Sequence, residues 1–391
     1  MAETDKKEQV VTPWDVSAED QIDYNKLIND FGSQRIDAAL LEKFAGAIDV
    51  PLHQFLTRGI FFSHRDMNQF LTNYIATKAG EAKNAFYLYT GRGPSSGSLH
   101  MGHLVPMRFT KWLQDALDIP LVIQLTDDEK FLWRDIEFDT VRQLAIDNAK
   151  DIIACGFNPE RTFIFRDSDY YQDMYETILS CQRATTMGTS KAAFGFTEES
   201  NIGKASFPPV QAAPSFPTAF PHIFGKDLSK KAKGAITCLI PCAIDQDPYF
   251  RLSRDYASKL GCNKPALLHS VFLPSLAGAG TKMSASATDG SIFVTDSMDT
   301  IKAKIEKVVP VAETVAEAGD DVSLEWLKFF LEDDAEFNKL CEDRLAGAVS
   351  GVAIRDRLVA VLQDMAAEFQ ARRAAVTDED VEKFFSKRSL Y

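Results

Sequence analysis

His100 and His103 stand three residues apart with Gly102 between them. At that spacing two rings share one face of a helix and can act on the same ligand. Gly102 has no side chain, so a flat ligand can come close to the backbone there. Upstream runs Gly91-Arg92-Gly93-Pro94-Ser95-Ser96-Gly97, a glycine-rich turn leading into a helix start. Such a turn offers free backbone N–H groups and a helix dipole to phosphate. Two other readings of the histidines stay open: a metal pair, for which no third ligand has matching spacing, and a structural pair in the core.

Three further clusters carry polar groups in apolar surroundings. Gln124-Leu125-Thr126-Asp127-Asp128-Glu129-Lys130 places three acids and an amide together, suited either to an amino-acid ammonium or to a plain helix cap. Gln211 is the one amide in Val210-Gln211-Ala212-Ala213-Pro214, and Asp245-Gln246-Asp247 follows the apolar run around Ile240. Gly278-Ala279-Gly280-Thr281-Lys282-Met283-Ser284-Ala285-Ser286 reads as a mobile loop with one lysine and three hydroxyls. It is no Walker A loop, because Met283 follows Lys282. It is either an ordinary surface loop or a device that grips phosphate during a reaction and releases it afterwards.

These clusters need elements to hold them. Phe86 to Tyr89, Pro120 to Leu125, Thr162 to Phe165, Ile236 to Ile240 and Ala266 to Phe272 read as strands. Their continuous apolar character suits strands buried on both faces of a parallel sheet. Helical periodicity lies between them, most clearly in Val105, Phe109, Trp112, Leu113, Ala116 and Leu117. The alternation predicts a doubly wound, Rossmann-like α/β unit, whose ligands bind beyond the carboxyl ends of the strands. A helix is expected over Met67 to Ala79. After residue 296 the spacing is helical throughout: Leu324 to Phe330, Phe337 to Leu345, Ile354 to Phe369 and Asp378 to Phe385. The expected division is an N-terminal extension over 1–81, an α/β catalytic unit over 82–296 and a helical unit over 297–391.

The chain has 391 residues, enough for two or three domains. Its N-terminus has no apolar signal core or transit-peptide character, and no stretch is apolar enough to span a bilayer; a cytoplasmic protein is expected. Six cysteines in this length do not make a disulfide framework, and Cys238 and Cys242 lack a second pair to complete a zinc site. The net charge of −13 argues against a non-specific nucleic-acid binder. Any RNA contact must use local basic patches. The residues from Thr300 to Tyr391 are no basic platform, with 13 Lys+Arg against 19 Asp+Glu.

The order of the His-x-Gly-His helix start and the Lys-Met-Ser-Ala-Ser loop, either side of an α/β core, resembles class I aminoacyl-tRNA synthetases. The segments YLYTGRGPSS, TKWLQD, IPLVIQLTDDEK, NAKDIIACGF, CLIPCAIDQDPYFR, KPALLHS and TKMSAS are most similar to the eukaryotic-type tryptophanyl branch of that family. The resemblance runs from TPWDV around Trp14 to the QARR segment. It implies ligation of L-tryptophan to tRNA with ATP and Mg²⁺, through an adenylate, and no resident metal site. It implies that Gly91, Gly93, Gly102, His100, His103 and Arg92 serve the nucleotide and its phosphates. Ile240 and Met283 would line the adenine pocket, and Lys282, Ser284 and Ser286 would hold the leaving pyrophosphate.

The resemblance also implies that Tyr89 and Gln124 accept the indole N–H, that Glu129, Gln211 and Tyr89 hold the ammonium, and that Gln246 lies by the carboxylate. Arg372 and Arg373 match a family pair near the anticodon; an exposed helix face explains them nearly as well. TPWDV resembles a hairpin that closes over the active site, although Trp14 could equally be a plain core residue. A homodimer is expected on the same ground. The short Val308 to Asp321 connection departs from the family's longer, glycine-bearing one. Rival readings are a tyrosyl-specific synthetase, against which the neutral Gln124 argues, a small-molecule adenylyltransferase, and a catalytically silent binding relative.

Overall fold

The computed structural model describes residues 9–13, 16–17, 22–226, 228–282, 290–311 and 321–391. Trp14, Met283, Ser284 and Ser286, on which expectations were placed, lie outside the described residues, and of Lys282 only the backbone is described.

Seven strands form the central sheet: β1 (Gln34–Arg35), β2 (Phe61–Arg65), β3 (Ala85–Arg92), β4 (Leu121–Leu125), β5 (Thr162–Arg166), β6 (Ile236–Ala243) and β7 (Ala266–Ser270), in the order β1-β2-β7-β6-β3-β4-β5. β7, β6, β3, β4 and β5 are mutually parallel. These are the five apolar runs of the sequence, and their side chains are buried almost without exception. From β3 the chain winds out through β4 to β5, then returns to β6 and β7 on the other side. The crevice beyond the carboxyl ends of β3 and β6 is therefore the point where winding reverses and ligands bind.

Two departures from expectation follow, one in this sheet and one in a separate four-stranded sheet. β1 and β2 lie within residues 1–81 and extend the sheet beyond β7, β2 antiparallel to β7 and β1 antiparallel to β2. β2 escapes a sequence reading because Ser63 and His64 interrupt its apolar run, although both are buried. Gly278–Lys282, expected as loop, is a strand paired with Pro274–Ser275 on one side and Val16–Ser17 on the other. Its partner at Ser17 comes from the far end of the chain, so local sequence cannot announce it.

Helices cover both faces. The ones that position the crevice are α1 (Met101–Leu117), α2 (Asp127–Trp133), α3 (Phe138–Ala154), α4 (Asp167–Ala184), α5 (Ile202–Ala212) and α6 (Asp247–Leu260). Val105, Phe109, Leu113 and Leu117 of α1 are buried, with Trp112 and Ala116 half-covered, as the periodicity predicts. The expected helix before β3 spans Met67–Lys78. Beyond Met298 the described residues form helices only, and the long α7 (Gly351–Ala374) runs through their centre. One continuous apolar core joins α7 to the sheet face that carries α1 and α3.

Residues 388–391 return to the sheet. Arg388 donates to the carbonyls of Pro159 and Thr162, Leu390 is buried, and the Tyr391 hydroxyl donates to the carbonyl of Phe86 at 2.8 Å.

Candidate active site

A cavity of about 290 Å³ opens at the crevice. It is lined by residues from every cluster singled out above except Gly278 to Ser286: Tyr89, Gly91, Arg92 and Gly93; His100, Gly102 and His103; Gln124, Glu129 and Lys130; Gln211; Ile240, Asp245 and Gln246. Pro13, beside Trp14, reaches the same wall. Arg372 and Arg373 are not part of it.

One end is lined by β3, β4 and α5. The Tyr89 hydroxyl lies 2.5 Å from Gln124 Oε1 and 2.8 Å from the Gln211 carbonyl oxygen. Burial pushes the Tyr89 phenol well up, so it keeps its proton and donates. The Gln124 amide nitrogen donates to Asp167 Oδ1 at 2.7 Å and, more distantly, to the Val210 carbonyl at 3.4 Å. An amide oxygen carries two lone pairs, so Gln124 Oε1 can accept from Tyr89 and from a ligand together. The walls nearby are aromatic, with Phe250 edge-on to Tyr89 at 5.8 Å. This end suits a flat apolar group with one N–H donor.

Next to it sit groups for an ammonium and a carboxylate. Glu129 Oε2 accepts from Thr126 Oγ1 at 2.7 Å, and its Oε1 pairs with Lys130 Nζ at 2.8 Å. Gln211 donates to Gln246 Oε1 at 3.1 Å. Lys130 lies directly over Gly93: a Cβ there would stand 2.1 Å from Lys130 Cε and 2.9 Å from Glu129 Oε2. A side chain at position 93 would therefore displace the end of Lys130.

The other end is cationic. Arg92 is buried, and its Nε donates to Asn148 Oδ1 at 3.0 Å. Among the described residues its buried Nη2 meets no acceptor, an arrangement ready for an anion. Burial lowers the guanidinium to about 10, which leaves it charged near neutrality. Asn148, on α3, also donates to the Ser96 carbonyl at 2.6 Å, so one amide fixes both the arginine and the turn beside it.

At the start of α1 the rings of His100 and His103 stack at 3.5 Å. The His100 backbone N–H donates to His103 Nδ1 at 3.2 Å. A nitrogen that accepts is unprotonated, so neutral His103 carries its hydrogen on Nε2 as a donor. Pro106 has no N–H to give to the Gly102 carbonyl four residues back, and both residues line the cavity.

The turn before His100 is held from below. Asp151 Oδ2 accepts from the Leu99 N–H at 2.8 Å and the Ser98 hydroxyl at 3.1 Å. Asp151 also pairs with Arg373 of α7. Arg372 donates to the Ala154 carbonyl at 2.9 Å. The two arginines thus face α3. From the same helix Gln370 donates to the carbonyls of Val294 and Asp296, each at 2.8 Å. That segment is bonded to the motif helix through Met101 N to Ile292 O and Val294 N to Leu99 O.

Sequence reasoning missed Asn148, Asp151 and Asp167 as site residues. All three are fully buried. Asn148 and Asp151 interrupt the apolar face made by Val141, Ala145, Ala149 and Ile152, and a polar residue at a core position was the available signal.

The family described as tRNA synthetases class I (W and Y) matches residues 81–345. The human protein named cytoplasmic tryptophan–tRNA ligase is 49% identical over 99% of this chain and 83% of its own length. The Arabidopsis thaliana protein of the same name is 46% identical over 99% and 96%. The crystal structure of Plasmodium falciparum tryptophanyl-tRNA synthetase superposes with a TM-score of 0.84 at 40% identity, covering 94% of this chain and 99% of that one.

Proposed function

Since the chain belongs to the class I tRNA synthetases specific for tryptophan and tyrosine, we infer that the cavity is the place where it activates its amino acid. It is an ATP-dependent ligase that joins tryptophan to tRNA, and it works in the cytoplasm, like the relatives named so. Among the described residues no helix is long and apolar enough to cross a membrane.

The observation that carries the assignment within the cavity is the Tyr89–Gln124 pair at 2.5 Å, beside Glu129, Gln211 and Gln246. In this reading the indole N–H is accepted by Gln124 Oε1 and the Tyr89 oxygen. The ammonium rests on Glu129, Gln211 and Tyr89, and Gln246 steers the carboxylate. The tryptophan carboxylate then attacks the α-phosphate of ATP, forming tryptophanyl-adenylate and expelling pyrophosphate. The terminal 2′-hydroxyl of tRNA takes the tryptophanyl group in the second step.

Arg92 Nη2 supplies positive charge, and the Nε2–H of His103 a hydrogen-bond donor, where negative charge builds, with His100 and Gly102 shaping the turn. Gly91 and Gly93 let the phosphates approach, and Ile240 lies against the adenine. Lys282, Met283, Ser284 and Ser286 complete the nucleotide site. This is catalysis by position and charge rather than by a covalent enzyme intermediate. Mg²⁺ fits as an ion carried by the ATP phosphates, whose oxygens supply much of its octahedron; among the described residues no three metal-binding side chains converge.

The helical unit over 297–391 is proposed as the part that meets the tRNA anticodon. Arg372 and Arg373 support the junction with α3 before they support RNA. A homodimer is proposed through α4, where Tyr171, Tyr175 and Leu179 are 37%, 49% and 43% exposed at four-residue spacing. That stripe of large apolar side chains on one helical face is the kind that a subunit contact covers.

Amino-acid-dependent ATP–pyrophosphate exchange, run with tryptophan, tyrosine and phenylalanine in parallel, tests the reading. Exchange with tryptophan alone is expected. Exchange with tyrosine would overturn the Tyr89–Gln124 assignment.

A further inference from the structure

An amide can present either of its ends, and only the oxygen end of Gln124 serves an indole N–H. Tyr89 does not decide between them. Its hydroxyl has a second acceptor in the Gln211 carbonyl at 2.8 Å. With the hydrogen turned there, the Tyr89 oxygen would receive an N–H from a flipped Gln124 equally well. The Val210 carbonyl, at 3.4 Å, sits at the limit of a hydrogen bond. The strong constraint is Asp167 Oδ1, 2.7 Å from the Gln124 nitrogen.

Asp167 is itself held with care. It is fully buried at the start of α4. The next residue, Ser168, is pinned through its backbone N–H, at 3.1 Å, and its hydroxyl to the carboxylate of Asp127 on α2. Among the described residues Oδ2 of Asp167 is buried and meets no hydrogen-bond partner, and the carboxyl of Asp128 interacts with that of Asp167. Two carboxyls in contact are satisfied when one keeps its proton. Burial first, and Asp128 second, push Asp167 far above the carboxylate range. With Oδ1 accepting the Gln124 N–H at 2.7 Å, a retained proton belongs on the Oδ2 side, and Oδ1 is left as the acceptor for Gln124. Asp128 in turn accepts the Glu129 N–H at 2.7 Å, so the chain of contacts continues to the ammonium end of the cavity.

We propose that Asp167 is a positioning residue that fixes which end of the Gln124 amide faces the ligand, and thereby sets the preference for a side chain with an N–H donor. The proposal rests on the reading of Gln124 as the indole acceptor.

The test compares ATP–pyrophosphate exchange on tryptophan and on 3-benzothienylalanine, which has sulfur in place of the indole N–H. Four variants are needed: Asp167→Ala, Asp167→Ser, Asp167→Asn and Gln124→Ala. In the alanine and serine variants the ratio of kcat/KM for the two substrates is expected to fall about tenfold. The fall should come through KM for tryptophan, with KM for ATP unchanged. Asp167→Asn is expected to keep the ratio, because its carbonyl accepts from Gln124 while its amide donates to Asp128. Should the alanine variant fail to fold, serine and asparagine decide. An unchanged ratio in Asp167→Ala or Asp167→Ser, or a fall in Asp167→Asn as large as theirs, overturns the proposal. If Gln124→Ala itself keeps the wild-type ratio, the reading of Gln124 falls and the proposal with it. Loss in Gln124→Ala without loss in Asp167→Ala sinks the proposal alone.

Discussion

Asn148→Ala is the substitution that tests how the cationic end of the cavity is built. Asn148 never touches the cavity, yet its amide accepts from Arg92 Nε at 3.0 Å and donates to the Ser96 carbonyl at 2.6 Å. Alanine leaves a buried guanidinium N–H without its acceptor, which costs about 1.5–3 kcal/mol, and strands the carbonyl for about 1 kcal/mol more. The expected loss of stability is about 2.5–4 kcal/mol, visible as a lower urea midpoint with unchanged slope. The larger effect should be on catalysis. Removing one preorganised donor from a developing charge lowers rates by roughly 10²–10³. Arg92 would be displaced rather than deleted, so about a hundredfold fall in the exchange rate at saturating substrates is expected. Tryptophan affinity, read from quenching of intrinsic fluorescence, should be unchanged, because the Tyr89–Gln124 end does not depend on Asn148. A folded Asn148→Ala protein that exchanges within twofold of wild type would refute the argument, since Arg92 would then need no such support.

Three further outcomes follow from other contacts. Gly93→Ala drives its Cβ into Lys130, so KM for ATP and tryptophan should rise at least tenfold, with partial recovery in Gly93→Ala/Lys130→Ala; full activity in the single variant would show that Lys130 moves aside freely. Asp151→Ala frees the Leu99 N–H and Arg373 at once and should raise KM for ATP more than KM for tryptophan, as steady-state kinetics would show. His53 and His64 are lowered from 6.5 to about 4, mainly by burial. The unfolded chain binds their protons first, so their contribution is complete above pH 6.5 and is lost as pH falls toward 4. Urea midpoints across that window should drop, and less steeply in His64→Asn, which keeps an acceptor for the Met67 N–H.

The parallel sheet was legible because strands buried on both faces announce themselves as unbroken apolar runs, as in Leu121–Leu125. β2 was hidden by Ser63 and His64, both buried: Ser63 Oγ meets the sequence-distant His269 Nδ1 at 2.9 Å, and His64 Nδ1 accepts from the Met67 N–H at the start of the next helix. The cavity residues on the motifs were legible from type and spacing, since His100, Gly102 and His103 act over one helical turn. Asn148, Asp151 and Asp167 were not, because each works by burying a polar group against another polar group elsewhere in the chain. Their polarity resembles an interruption until the fold supplies the partner. Arg372 and Arg373 match a family pair or an exposed helix face by sequence; Arg372 is exposed, with its Nε on the Ala154 carbonyl, while half-buried Arg373 pairs with Asp151 of α3.

The return of residues 388–391 to the sheet sets a schedule for synthesis. Phe86 and the hydroxyl that caps its carbonyl lie 305 residues apart. At about 5–20 residues per second a ribosome needs roughly 15–60 seconds to travel that distance. During that interval β3 can pair with its neighbours, but the carbonyl at its amino-terminal end and the apolar seat of Leu390 stay uncovered. The catalytic sheet therefore cannot complete its native contacts vectorially as it emerges. It must wait with that carbonyl and that apolar seat uncovered, a state that a premature stop codon near residue 388 would make permanent.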